Sequence, residues 1–153
     1  MVTKLYKDIP CGRNFHYKKL SFTKLDDETA IINSLNFDYS NCYFDNINNE
    51  YDKSLIRHYI NGKFLKFMGI DKEDLLPLYK SDLATLLTEQ QYAKNKLFIK
   101  KWDCQWWLRD ADLSREIYTS VVTDFGGTWV NYVRYDGGVR VVVKFKPTTK
   151  VYK

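Results

Sequence analysis

Apolar and polar positions alternate with a period of two along several short stretches of the chain and follow a helical spacing in only two. Phe15, Tyr17, Leu20 and Phe22 mark Phe15–Leu25 as a strand, and Ala30, Ile31, Ile32 and Leu35 mark Glu28–Asn36 as its partner, with Asp26-Asp27 as the turn. Asp38–Asp52 is rich in Asn, Asp and Tyr and has no period, so it predicts a loop long enough to serve as a contact surface. Ser54 is placed to cap a helix in which Leu55, Ile56, Tyr59, Ile60, Phe64, Leu65 and Met68 form one apolar face, with Gly62 as a weak point and Gly69 as the stop. Leu83–Leu87 reads as a short strand, and Thr88 with Gln91 has the capping-box spacing that opens a second helix, Glu89–Asn95.

The last third contains three runs with period-two character, Arg115–Thr123, Thr128–Tyr135 and Val139–Lys146, separated by Phe125-Gly126-Gly127 and Asp136-Gly137-Gly138. Glycine-bearing turns between alternating runs predict antiparallel hairpins, hence a C-terminal β-meander. In the last run Val139, Val141, Val143 and Phe145 form the core face and Arg140, Val142, Lys144 and Lys146 the other. A one-residue slip would exchange the two sets. Helices in the middle and strands at both ends make the fold class α+β.

The chain has 153 residues, 44% of them hydrophobic, which suits one domain with its own core. There are only three prolines, no repeat and no low-complexity tract to divide it. No signal-peptide-like or membrane-spanning apolar stretch occurs, and three widely spaced cysteines, Cys11, Cys42 and Cys104, suit reduced thiols better than a disulfide framework. The expected setting is therefore a reducing cytoplasm. The formal charge is +5, and most of the basic residues are lysine. With abundant Asn, Ile and Tyr, that composition points to an AT-rich coding genome, such as that of a low-GC bacterium or its phages.

Three ordered segments carry a resemblance. Ser54–Asn61 with Phe64, Asp82–Glu89, and Trp106-Trp107-Leu108-Arg109 followed by Gly138-Val139-Arg140 resemble a bacterial family of uncharacterised domains marked by Trp-Trp-Leu-Arg-Ser-Pro and Gly-Val-Arg-Pro-Ala-Leu. That family looks like a branch of the C-type-lectin-like fold, shared with formylglycine-generating enzymes and the receptors of diversity-generating retroelements. The resemblance implies a ligand-presenting scaffold in which the terminal strands pair, helices flank the sheet and an irregular face displays the contacts. Asp110-Ala111 and Val141-Val142-Val143 replace the family's Ser-Pro and Pro-Ala-Leu. The cysteine pair of formylglycine-generating enzymes has no counterpart after Cys104.

Catalytic chemistry finds no support in the motifs. His16 and His58 lie far apart in the chain, no zinc or calcium spacing occurs, and neither GxGxxG nor GxxxxGK[ST] is present. No cofactor, metal or catalytic residue is therefore expected. Two binding surfaces are. Tyr118, Trp129, Tyr132 and Tyr135, with Arg115, Arg134 and Asp112, supply the residue types that dominate protein interfaces. In Thr128–Tyr135, Trp129, Val133 and Tyr135 fall on one face and Val130, Tyr132 and Arg134 on the other. Arg140, Lys144, Lys146, Lys150 and Lys153 form an acid-free basic tail that would attract phosphates. Trp106 and Trp107, adjacent on a strand, must enter different layers. Arg109 is expected to satisfy loop carbonyls. The reading is a non-enzymatic binding module for a protein partner, in its most concrete form a phage inhibitor of a host defence protein of the anti-CRISPR type. A nucleic-acid-binding tail is the alternative.

Overall fold

The computed structural model describes residues 2–153. In chain order it contains β1 (Thr3–Leu5), β2 (Asn14–Tyr17), β3 (Leu20–Lys24), β4 (Ala30–Ile32) and β5 (Asn41–Cys42). The helices α1 (Leu55–Ile60) and α2 (Lys63–Met68) follow, then β6 (Leu75–Leu76), β7 (Ala84–Thr85) and α3 (Glu89–Asn95). The chain ends with β8 (Trp106–Ala111), β9 (Tyr118–Val122), β10 (Thr128–Tyr132), β11 (Gly137–Gly138), β12 (Val142–Phe145) and β13 (Lys150–Tyr152). One sheet runs β1-β13-β2-β3-β4-β12-β6, with β7 also paired to β12; the other runs β10-β9-β8-β11-β5. The fold is α+β and nearly all antiparallel. Its one parallel pairing among the described residues joins β11 to β8.

Phe15–Leu25 is two strands where the sequence predicts one. Lys18, at φ 53°, closes a tight turn between β2 and β3. The parity of the apolar positions explains it: Phe15 and Tyr17 are odd, Leu20 and Phe22 even, and a single strand would put the pairs on opposite faces. Folding back sets Phe15 opposite Phe22 and Tyr17 opposite Leu20, so the rings share one core. The next turn falls at Asp26-Asp27 as expected, closed by the Asp26 carboxylate, which accepts from the Glu28 N–H and the Thr29 hydroxyl, each at 2.8 Å.

Ser54 caps α1 by accepting from the Arg57 N–H at 3.2 Å. The predicted single helix breaks at Asn61-Gly62, where Gly62 leaves helical geometry (φ −127°, ψ −102°), and α2 ends at Gly69 in the left-handed region. Asn61 makes the break useful. Its Oδ1 accepts from the Leu83 and Ala84 N–H groups at 3.0 and 2.9 Å, tying the helix end to β7. The capping box of α3 is formed, with Gln91 N–H on Thr88 Oγ1 at 3.1 Å and Thr88 N–H on Gln91 Oε1 at 2.9 Å.

The C-terminal meander is displaced from its predicted place. It consists of β8, β9 and β10, and the last run does not join it. After Tyr132 the chain turns, lays β11 beside β8, and crosses into the other sheet, where β12 lies between β4 on one side and β6 and β7 on the other. Gly137 and Gly138 are thus not a hairpin turn. They are where the backbone passes against the tryptophans: a Cβ on Gly137 would lie 2.6 Å from the Trp107 indole, and one on Gly138 2.8 Å from the Gln105 carbonyl oxygen.

Val139, Val141, Val143 and Phe145 are all buried in the larger core, with Phe15, Tyr17 and Phe22. Helices α1 and α2 cover the same core with Ile56, Ile60, Phe64 and Leu65. The opposite face of β12 and β4 is also covered. Ile31 and Val142 lie in a second, smaller core with Trp102, Trp106, Tyr92 and Leu108. Trp107 belongs to the larger core and Trp106 to the smaller, so the pair does divide between layers.

Candidate binding surfaces

β10 is the outer strand of its sheet. Its partner β9 sets Trp129 opposite Val121, Val130 opposite Ser120 and Tyr132 opposite Tyr118. Directly opposed residues share a face, so Trp107, Val121 and Trp129 form one row across the sheet. Trp107 and Val121 are buried, whereas Trp129 at the end of the row is 70% exposed. On the reverse face the Tyr118 and Tyr132 rings lie 6.2 Å apart, and the Arg115 guanidinium sits 4.4 Å from the Tyr118 ring centroid. Arg115 also donates to Asp112 through Nε and Nη2, at 3.0 and 2.8 Å. Ser114, through its N–H and hydroxyl, and Arg115 hold the Asp112 carboxyl down at about 2.

The predicted aromatic set is therefore split. Arg115, Tyr118 and Tyr132 share one face, and Trp129 occupies the other. The two-residue alternation expected through Tyr135 stops at Tyr132, because the Tyr135 N–H closes a turn onto the Tyr132 carbonyl at 2.8 Å. Val133 is buried, and its carbonyl accepts from the Phe44 and Asp45 N–H groups. Tyr135 is 44% exposed and packs its ring edge-on to Trp107, with centroids 6.3 Å apart. Arg134 is exposed.

The loop Asp38–Asp52 is anchored more firmly than its composition predicts. Phe44 and Tyr51 are buried, and the Asp45 carboxylate accepts from the N–H groups of Ile47, Asn48 and Leu55. Asn49 Nδ2 reaches the carbonyls of Asp112, Arg115 and Tyr118 at 3.0, 3.2 and 2.7 Å. That side chain holds the 112–118 loop beneath the Tyr118–Tyr132 pair.

The basic tail does not form as one surface. Arg140 is fully buried: its Nε donates to the Ile32 carbonyl at 2.9 Å, its Nη2 to Asn33 Oδ1 at 3.0 Å, and Trp102 and Trp106 flank it at 4.6 and 5.0 Å. Lys144 is paired with Glu28. Lys146, Lys150 and Lys153 remain exposed, the first two on a shallow groove that also carries Glu73 and Asp74. The sequence error has a physical source: alternation assigns Arg140 to the face opposite the core, and here that face has a core of its own.

Arg109 takes another partner than expected. Its guanidinium lies 4.3 Å from the Tyr79 ring centroid, and Nη1 donates to Thr85 Oγ1 at 3.1 Å, with no loop carbonyl among its partners in the described residues. Gly138, with Trp106 and Trp107, belongs to the close passage of β11 over β8.

Cys42 and Cys104 are unpaired thiols whose pKa burial raises, Cys42 to about 12, and Cys11 is exposed and likewise free. His16 and His58 are exposed on different elements. Among the described residues no three His, Cys, Asp or Glu side chains gather in a way that could hold a metal ion, and no helix is long and apolar enough to cross a membrane.

One cleft escaped the sequence reading. Lys96, Lys100 and Lys101 rim a hollow of about 180 Å³ bordered by Trp102, Phe125 and Arg140. The run of lysines between Lys94 and Lys101 was a visible signal, but only the fold brings Arg140 up behind it. Comparison with protein-family models, with curated proteins and with solved structures finds no match for this chain.

Proposed function

We propose that the protein is a non-enzymatic binding module of C-type-lectin-like architecture that recognises a protein partner through the edge strand β10. The observation that carries this reading is Trp129, 70% exposed on an edge strand without charge or proline. An unpaired edge strand templates a further strand unless it is short, charged, proline-bearing or covered. The sequence Thr128-Trp129-Val130-Asn131-Tyr132 has none of those devices. The other sheet termini do: β5 and β6 have two residues each, and β1 has three with Lys4 in the middle. A partner segment added in extended form along β10 would meet Trp129 on one face and Tyr132, backed by Tyr118 and Arg115, on the other. Main-chain bonds give affinity in such complexes, and side-chain contacts give specificity.

The pairing of β1 with β13, which joins the chain's two ends, supports the C-type-lectin-like layout. The nucleic-acid reading loses its strongest residue to the core at Arg140 and a second to the Glu28 ion pair at Lys144.

The test is quantitative capture from a bacterial lysate with the wild-type chain, Trp129→Ala and Val130→Lys, at about 50 and about 200 mM salt. A protein held by wild type at both salts, lost with Trp129→Ala and weakened by a lysine on the edge, is the expected result. Partners retained undiminished by both variants, or self-association of the wild type that Val130→Lys abolishes, would sink the reading.

A further inference from the structure

Among the described residues only two buried side-chain polar atoms lack a hydrogen-bond partner, the Tyr6 hydroxyl and Arg140 Nη1. The second is the more consequential, because it belongs to a cation. Arg140 is fully buried and takes part in none of the ion pairs. Its bonded partners, the Ile32 carbonyl and the Asn33 amide oxygen, are neutral, and the Trp102 and Trp106 rings attract the charge without cancelling it. A buried charge is tolerated when it is paired. Here the counter-charge is missing.

Arg140 also borders the lysine-rimmed cleft. Every charged side chain that lines it is cationic: Lys96, Lys100 and Lys101 at the rim and Arg140 behind. The three lysines are exposed and none is engaged in an ion pair, while Phe125, 86% exposed, stands at the mouth with Lys101 Nζ 5.6 Å from its ring centroid. The volume of about 180 Å³ equals the share of about six waters. That is below the roughly 300 Å³ at which sites for whole drug-sized ligands begin. It suits a compact group with high charge.

We propose that this cleft is an oxyanion site that takes a phosphate group, with Arg140 as its buried counter-charge and Lys96, Lys100 and Lys101 as its rim. The group is either free inorganic phosphate or the end of a phosphate monoester, whose remaining part lies outside against Phe125. Burial pushes the Arg140 guanidinium down to about 9, which leaves it positively charged at neutral pH. Trp129 does not line the cleft, so this site stands or falls independently of the β10 surface.

The experiment is thermal unfolding and intrinsic tryptophan fluorescence of the full chain, titrated with sodium phosphate, with adenosine monophosphate, and with sodium chloride at matched ionic strength. Phosphate is expected to raise the midpoint by about 5 °C or more at a hundred-fold excess over its Kd and to perturb the Trp102 and Trp106 emission. Adenosine monophosphate binding more tightly than phosphate identifies the monoester as the ligand, and equal binding identifies the free ion. Lys100→Ala combined with Lys101→Ala should weaken binding at least ten-fold, as should Arg140→Lys. Should the latter fail to fold, the lysine double variant decides. Trp129→Ala should respond as wild type does. A midpoint shift no larger than that of chloride, or one undiminished in the lysine double variant, overturns the proposal.

Discussion

Gly137 shows how a single missing side chain positions a surface. The Trp107 indole fills the space in which any Cβ would stand, at 2.6 Å, and its Nε1 donates to the Cys42 carbonyl at 2.9 Å. The ring is pinned between β5 and β11 and cannot step aside without giving up that bond. Gly137→Ala should therefore act as an overpacking substitution costing about 1–3 kcal/mol, with the thermal midpoint falling about 2–4 °C per kcal/mol. Gly127→Ala, whose Cβ would meet Thr123 Oγ1 at an ordinary contact distance of 3.7 Å, is the control and should change the midpoint little. Equal midpoints for the two variants would refute the close-passage account. At this scale the sequence is readable wherever a residue's role is set by its immediate neighbours. Ser54, Thr88 with Gln91, and Gly69 do what their types and spacings predict, because a cap depends on the three or four residues beside it. Arg140, Arg109 and Gly137 depend on contacts from distant parts of the chain, and spacing holds no record of those.

At the scale of elements, alternation finds the strands more surely than it finds their pairing. The runs around Tyr118, Thr128 and Val142 are all strands, but two glycine-marked breaks of similar appearance have opposite outcomes. Phe125-Gly126-Gly127 returns the chain onto β9, with Gly126 in the left-handed region at φ 86°. Asp136-Gly137-Gly138 passes it to a different sheet. What distinguishes them is the depth available at Trp107 and Gln105, a property of packing. The loop Asp38–Asp52 carries a similar lesson, since its polar composition conceals a clamp. Asn49→Ala would remove the two N–H donors that one amide shares among three carbonyls of the 112–118 loop, of which Tyr118 at 2.7 Å is the nearest. A loss of about 1–3 kcal/mol is expected, chiefly at the Asp112 carbonyl, because the Arg115 and Tyr118 carbonyls still accept from the Tyr118 and Asp112 N–H groups. Amide exchange measured by mass spectrometry should then quicken across 112–118 while β2, β3 and β4 keep their protection. Unchanged exchange in that loop would show that other contacts hold it.

For the whole molecule, the decisive feature is the crossing of the chain from one sheet to the other at Val139–Val141. Val139 and Val141 sit in the larger core, while the residue between them sends its guanidinium between two tryptophans at the edge of the smaller one. The larger core itself draws on both sheets, with Phe15 and Phe145 from one and Trp107 and Val121 from the other. Neither sheet can open without exposing apolar surface of its neighbour. Trp106 reports on the smaller core and Trp107 on the larger, so the indole emission samples both, and the backbone signal in the far ultraviolet samples the two sheets together. Denaturant unfolding should give coincident transitions by the two probes with a single slope, the behaviour of one cooperative unit. Arg140→Met, which keeps an unbranched apolar chain and removes the unpaired charge together with the bonds to Ile32 and Asn33, should keep the transitions coincident. Separation of the two curves in the wild-type chain would mean that the sheets fold independently, and that the surface at β10 is carried by a unit distinct from the one that joins the chain's two ends.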